Sequence, residues 1–157
     1  MSNNKHTDIL VIGSGPGGYA AAFRAADLGR EVTLVDKDPT LGGVCLNRGC
    51  IPSKTLLHIS KVLEEAESLK KMGVTFTKPT IDIDLVRDWK NKVVSQLSGG
   101  IGQMAKARSV NTIQAEATFL SDNEVQLKSE SNTETITFDN CIIASGSSST
   151  IIPGDSF

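Results

Sequence analysis

The residues of this sequence best suited to chemistry are two cysteines, in Cys45-Leu46-Asn47-Arg48-Gly49-Cys50. A disulfide across so short a loop removes little chain entropy, about 2 kcal/mol against about 5 for a loop of about a hundred residues. It is a poor staple. As a redox couple it is well built, because Cys50 stands at the expected head of a helix whose dipole favours a thiolate, and Cys45 is tethered nearby as its resolving partner. A structural bridge, or two unlinked buried thiols, is the plainer alternative. No metal site is expected, since Cys141 lies far off in sequence and His58 has no partner at zinc-finger spacing.

A second group of residues precedes the cysteines. Gly13-Ser14-Gly15-Pro16-Gly17-Gly18 follows a predicted strand and opens a predicted helix, and Asp36 stands eighteen residues past the last glycine. In that context each glycine has a reason: Gly13 permits a tight turn, Gly15 lets backbone approach a pyrophosphate, and Gly18 lets helix and strand pack closely. The unpaired amides at the helix start would face phosphates. Asp36, at the end of the second strand, would accept hydrogen bonds from ribose hydroxyls. The pattern serves NAD and FAD equally. A later run, Gly99-Gly100-Ile101-Gly102, follows a helix instead of a strand and is read as structural.

Lys54 distinguishes the two dinucleotides. It falls in the first turn of the helix that Cys50 and Pro52 open, where a cation opposes the dipole unless something electron-rich lies nearby. A dithiol must hand two electrons to a carrier, and a flavin ring beside Cys50, with Lys54 stabilising its reduced anionic form, can take them and relay a hydride to a nicotinamide. That argument favours FAD.

The elements that must position these groups begin with Thr7 to Ile12, an aliphatic run expected to be a strand buried on both faces. Tyr19 to Leu28, closed by Gly29, is expected to be a helix, and Glu31 to Val35 a second strand, completing a βαβ unit. Pro52 to Met72 has apolar residues at helical spacing and stops at Gly73, and Asp84 to Leu97 repeats the pattern until Ser98-Gly99-Gly100 breaks or bends it. Val110 to Ile113, Thr118 to Leu120, Val125 to Leu127 and Thr135 to Phe138 suggest a small antiparallel meander. Cys141 to Ala144 is expected to be another buried strand of the parallel sheet. The fold class is therefore α/β: a Rossmann-like parallel sheet with a small antiparallel meander.

Composition narrows the functions. The chain has 157 residues, a net charge of −2 and 22% charged residues, so no basic surface for nucleic acid is apparent. Its apolar runs are far shorter than the ~20 residues of a membrane span, and the polar residues after Met1 are read as a cytoplasmic terminus without a signal peptide.

From Gly42 through Lys54 the sequence resembles the pyridine nucleotide-disulfide oxidoreductases, and the similarity extends from the glycine turn to Ile143-Ala144-Ser145-Gly146-Ser147. Ile51-Pro52-Ser53-Lys54 suits the branch that acts on dihydrolipoamide, whereas glutathione reductases usually carry Lys where Ser53 stands. The resemblance implies that Cys45 is the outer thiol that exchanges with substrate, and Cys50 the inner thiol in charge-transfer contact with flavin. It further implies that Gly13, Gly15, Pro16, Gly17, Gly18, Asp36 and Lys37 hold the adenosine and pyrophosphate half of FAD. Gly42, Gly43 and Lys54 would lie along the rest, and Ala117, Ser145 and Gly146 would touch the cofactor mainly through backbone.

The implied activity is oxidation of dihydrolipoamide, carried on an acyltransferase subunit of a 2-oxo acid dehydrogenase complex, with reduction of NAD by a cytoplasmic homodimer. The alternatives are a mercuric or glutathione type of reductase and a non-catalytic FAD-binding fragment. Four residues depart from the family's pattern: Asp36 for the usual Glu, Arg48 for a small aliphatic, Ala117 for a frequent Gly, and Ser145 for Thr or Ala. Residues 1 to 157 correspond to the N-terminal part of the family's FAD domain. The NAD and dimer-interface domains are absent, no acid–base histidine is found, and the fragment alone is expected to be inactive. His6 is read as part of a polar tail and His58 as a surface or packing residue. A fold of this extent would leave an edge or face of the parallel sheet exposed.

Overall fold

The computed structural model describes residues 5–148 and 150. The elements run β1 (Lys5–Ile12), α1 (Pro16–Asp27), β2 (Val32–Asp36), α2 (Gly43–Arg48), α3 (Cys50–Ser68), a 3₁₀ turn (Leu69–Met72), α4 (Ile83–Ala107), β3 (Asn111–Gln114), β4 (Glu116–Ser121), β5 (Glu124–Lys128) and β6 (Thr133–Ile143). They build one six-stranded sheet in the order β3-β2-β1-β6-β5-β4. β3, β2, β1 and β6 are mutually parallel, while β5 pairs antiparallel with the first half of β6 and β4 pairs antiparallel with β5. The α/β class and the parallel sheet with an antiparallel extension match the reading of the sequence.

Strand alternation divides the core into two layers, as a period of two requires. Val11, Val32 and Leu34 point to one face, where Ala22 and Phe23 of α1, Leu46 of α2, and Ile101 and Ala105 of α4 close over them. Leu10 and Val35 point to the other, against Ala115, Val125, Leu127, Ile136 and Phe138 of the meander side. Burial on both faces explains why Ile9–Ile12 of β1 and Val32–Val35 of β2 are almost uninterrupted runs of aliphatic and β-branched residues.

Several boundaries differ from expectation. Helix α1 begins at Pro16, three residues before Tyr19, because proline is at home in a first turn whose amides have no helical acceptor. Helix α4 does not break at Ser98-Gly99-Gly100 but runs on to Ala107. Ile101 and Ala105, beyond the glycines, are 5% and 1% exposed. Burying the isoleucine contributes about 1.5–3 kcal/mol, which offsets much of the ~1 kcal/mol that each of the mid-helix glycines costs. The residues around Val110 to Ile113 are not part of the meander: β3 pairs parallel to β2. Cys141 to Ile143 is not a separate strand but the end of β6. Nor is His6 in a tail, since it lies in β1 with Nδ1 3.1 Å from Thr137 Oγ1.

The expected exposed sheet surface is present. Beyond Phe138, β6 has β1 on one side and no strand partner on the other among the described residues. Ile142 and Ile143 are exposed, and Cys141 is half-buried, so the end of β6 is less covered than its sequence suggests. Helix α3 likewise buries no residue fully, and its Leu56, Leu57 and Val62 are exposed. No helix among the described residues is long and apolar enough to cross a membrane.

Helix α4 carries a direct test of its continuity. A Cβ built at Gly99 meets nothing within 4 Å. Gly99→Ala is therefore expected to stabilise the chain by about 0.5–1 kcal/mol, read as a raised urea midpoint with an unchanged slope. A helix broken at that point would show no gain.

Candidate functional site

The carboxyl ends of β1, β2 and β6 converge on one cleft of about 840 Å³. Its floor is the turn Gly13–Gly17, one wall is Asp36 to Asp38, another is Ala144 to Ser148, and its far end is formed by Gly43, Val44, Cys45 and Arg48 of α2. In open parallel sheets this is where ligands bind, at the strand ends around a change in winding direction. A smaller adjoining recess is bounded by Gly13, Asp36, Lys37, Ala115, Glu116, Ala117 and Ser145.

The glycines at this turn do different work. Gly13 has φ +100, and a Cβ there would meet the Ala144 carbonyl oxygen at 2.2 Å. A Cβ at Gly18 would stand 1.7 Å from the Gly13 carbonyl oxygen, so this glycine permits the close crossing of α1 over β1. At Gly15 and Gly17 a Cβ would meet nothing within 4 Å, and both residues line the cleft. Their bareness keeps space open. Helix α1 starts here with no side-chain cap and no acid in its first turn, leaving its amides and positive dipole end free to hold an anion.

One buried residue fastens the turn. Ser14 is 0% exposed, and its amide and hydroxyl both donate to Asp36 Oδ2 at 2.6 Å. The Asp38 amide donates to Asp36 Oδ1 at 2.9 Å, and the Ser14 carbonyl accepts from the Gly42 amide at 2.9 Å. Burial pushes the Asp36 carboxyl up, but the Ser14 hydroxyl, the Asp38 and Ser14 amides and the Lys37 charge outweigh it and hold the group below its ordinary value. The first duty of Asp36 is thus internal, tying the turn to β2, with its remaining lone-pair capacity facing the cleft. Sequence reasoning missed Ser14, which between two glycines looks like turn filler.

The cysteine segment docks directly on this turn. Gly42 (φ +113) and Gly43 (φ +60) start α2, and a Cβ on Gly43 would stand 2.6 Å from Gly15 Cα, so only glycine allows the approach. Leu46, 8% exposed, anchors α2 in the core, and Asn47 Nδ2 donates to the carbonyls of Leu41 and Gly43 at 3.3 and 3.1 Å, tying down the chain before the helix. Cys45, in α2, and Cys50, the first residue of α3, are joined in a disulfide with a Cα–Cα distance of 4.7 Å. Arg48 pairs with Asp38 across the cleft. Cys141 is a free thiol on β6, pushed up in pKa by burial, and takes no part here.

Most residues singled out from the sequence are brought together. Gly13, Gly15, Pro16, Gly17, Asp36, Lys37, Gly43, Cys45, Ser145 and Gly146 line the main cleft, and Ala117 lines the recess beside it. Gly18 and Gly42 act from behind as packing positions. Lys54 is exposed on α3, one helical turn beyond Cys50, and does not line the cleft. Asp38, Val44, Arg48, Ala144, Ser147 and Ser148 enlarge the set beyond the residues read from the sequence. Away from the cleft, His6, Asp8 and Asp139 bring potential ligand atoms within 4.8 Å of one another; His6 and Asp139 are exposed, Asp8 is half-buried, and His6 already meets Thr137 and Asp139.

A bare glycine turn at a helix N-terminus, continuous with a disulfide, fits a class of dinucleotide-dependent thiol oxidoreductase, and comparison with known proteins agrees. The family described as "Pyridine nucleotide-disulphide oxidoreductase" matches residues 7–156, and the chain belongs to it. A dihydrolipoyl dehydrogenase of Vibrio cholerae is 49% identical over 147 residues, covering 94% of this chain and 31% of that protein. Those of Haemophilus influenzae and Bacillus subtilis are each 49% identical, over 98% and 90% of this chain and 32% and 30% of their own lengths. The chain thus spans about a third of the length of these relatives.

Two outcomes are expected. Asp36→Asn is expected to cost about 1–3 kcal/mol at neutral pH, because an amide cannot accept from all the donors that now converge on the carboxylate. Because the folded pKa lies below the unfolded one, this contribution is present above about pH 4 and is lost as pH falls through the folded value. Urea melts of the two proteins should therefore converge in acid; a constant gap would contradict the assignment. Second, Gly18→Ala should destabilise strongly while Gly15→Ala leaves the melting midpoint within about 0.5 kcal/mol of the parent, the range of substitutions that touch nothing.

Proposed function

We infer that this chain is the N-terminal part of the FAD-binding domain of a dihydrolipoyl dehydrogenase, in which the Cys45–Cys50 disulfide accepts the electrons of dihydrolipoamide. The observation that carries the reading is that Cys45 lines the same cleft as the glycine turn, so that one elongated ligand on the turn reaches the disulfide end. The names of the relatives support the choice of substrate.

The residues present fit FAD. Gly15 and Gly17 leave bare backbone at a helix N-terminus for the pyrophosphate, Asp36 and Lys37 border the ribose end, and Gly43, Ser145 and Gly146 leave a narrow passage along the remainder. Bound there, FAD supplies a ring that takes two electrons and returns them to NAD, whose own site lies outside this chain. Cys45 is the exchanging thiol and Cys50, at the head of α3, the inner one, its thiolate favoured by the helix dipole. Lys54, one turn along α3 on the side of Cys50, adds positive charge near that end. Reduction breaks the Cys45–Cys50 bond and leaves both sulfurs reduced while the dithiol donor closes its own disulfide. The whole enzyme acts as a cytoplasmic homodimer within 2-oxo acid dehydrogenase complexes, taking its dithiol from an acyltransferase subunit. The acid–base group and the NAD site belong to the remainder of that protein, and these 157 residues alone are inactive.

Dihydrolipoamide-dependent NADH formation by the full-length protein is the test, with a loss of at least about 10³-fold expected in both Cys45→Ser and Cys50→Ser. Reduction of mercuric ion or glutathione disulfide, with no turnover of dihydrolipoamide, would overturn the assignment.

A further inference from the structure

Arg48 lines the cleft with Cys45 but stands outside the electron transfer proposed for the two sulfurs. It is the last residue of α2, three positions after Cys45. Residues three apart on a helix are neighbours on one face, with Cβ atoms about 5–6 Å apart. Both line the cleft. The side chain is 60% exposed, but the guanidinium is tethered at the cleft by its pair with Asp38, whose own amide is fixed to the Asp36 carboxylate.

The other charges that face Cys45 are few. Asp36, Lys37 and Asp38 line the cleft with it, and Lys54 lies beyond Cys50 on α3. Helix α4 packs near α2, and its Val94, Ile101 and Ala105 belong to the same apolar cluster as Leu46. Arg48 is therefore the cation on Cys45's own helix face, and Asp38 the anion that partly neutralises it.

We propose that Arg48 is a positioning residue for the redox couple: its charge, metered by Asp38, stabilises the Cys45 thiolate and makes the Cys45–Cys50 disulfide easier to reduce. The inference rests on the disulfide being the redox centre proposed above. A donor thiolate attacks Cys45 Sγ, the Cys45–Cys50 bond breaks, and Cys50 leaves as a thiolate that takes up a proton or remains charged. The donor's second thiolate then attacks the donor sulfur of the mixed disulfide, and Cys45 leaves. One donor dithiol is oxidised to a disulfide, one protein disulfide is reduced to two thiols, and any proton not retained by the cysteines goes to solvent. In the second exchange Cys45 is the leaving group, and a leaving thiol of lower pKa departs faster. A nearby cation lowers that pKa.

The test uses two measurements on the chain with Cys141→Ala as background. The first equilibrates the disulfide with oxidised and reduced dithiothreitol. The second follows iodoacetamide alkylation of Cys45 against pH after Cys50→Ser. Arg48→Gln is expected to shift the disulfide equilibrium threefold to tenfold toward the oxidised form, up to about 30 mV, and to raise the pH midpoint of alkylation. Arg48→Lys should restore most of both. Asp38→Asn, which frees the guanidinium, should move both the opposite way. Circular dichroism melts confirm folding of each variant, and if Arg48→Gln fails to fold the other two substitutions decide. Values equal to the parent throughout, or an Arg48→Lys as shifted as Arg48→Gln, would overturn the proposal. A parent disulfide that does not equilibrate with the dithiol at all would instead overturn the redox reading itself.

Discussion

The site depends on a serine that carries no chemistry. Ser14, sealed between two glycines, gives its amide and hydroxyl to Asp36 and its carbonyl to Gly42. Its three polar groups thereby join β1, β2 and the start of α2 at a single buried point. A carboxylate with that many fixed donors is stabilised in its charged form, and a turn so fastened cannot splay. The open backbone of Gly15 and Gly17 is left facing space because Ser14 beside them is held from behind.

The same constraint sets the place of the sulfurs. With Gly42 tied to Ser14, and Gly43 stacked on Gly15 at a spacing no side chain permits, α2 must begin against the turn and run away from it. Leu46 in the core fixes its rotation, which turns Cys45 and Arg48 to the cleft. The disulfide then closes onto the first residue of α3, where the dipole of a long helix acts on Cys50. The glycine turn and the thiol end are thus parts of one backbone arrangement, and a change at Ser14 or Gly43 would reach both.

What could be read beforehand was whatever is decided by local spacing. The cysteines, the glycine turn, Asp36 and the βαβ unit follow from neighbours in the chain, and the structure brings most of the chosen residues to the cleft or directly behind it. Cys50 is joined to the cleft through its bond to Cys45, and Lys54, exposed on α3, does not line it. What escaped depends on partners distant in sequence. Ser14 is recognisable only once Asp36 is beside it, and Asp38 acquires meaning from Arg48. The continuation of α4 through its glycines rests on Ile101 reaching the core under α1. By alternation alone β3 is no different from β4, and only its parallel register against β2 separates them.

The central claim is that these two sulfurs exchange electrons with a dinucleotide held on the glycine turn. Its most direct measurement is anaerobic bleaching of bound flavin by dihydrolipoamide in the full-length protein, compared with a variant in which Ser replaces Cys45. The account predicts rapid bleaching in the parent and none in the variant, although the variant keeps its flavin. Equal bleaching in both would show that the electrons do not pass through the disulfide.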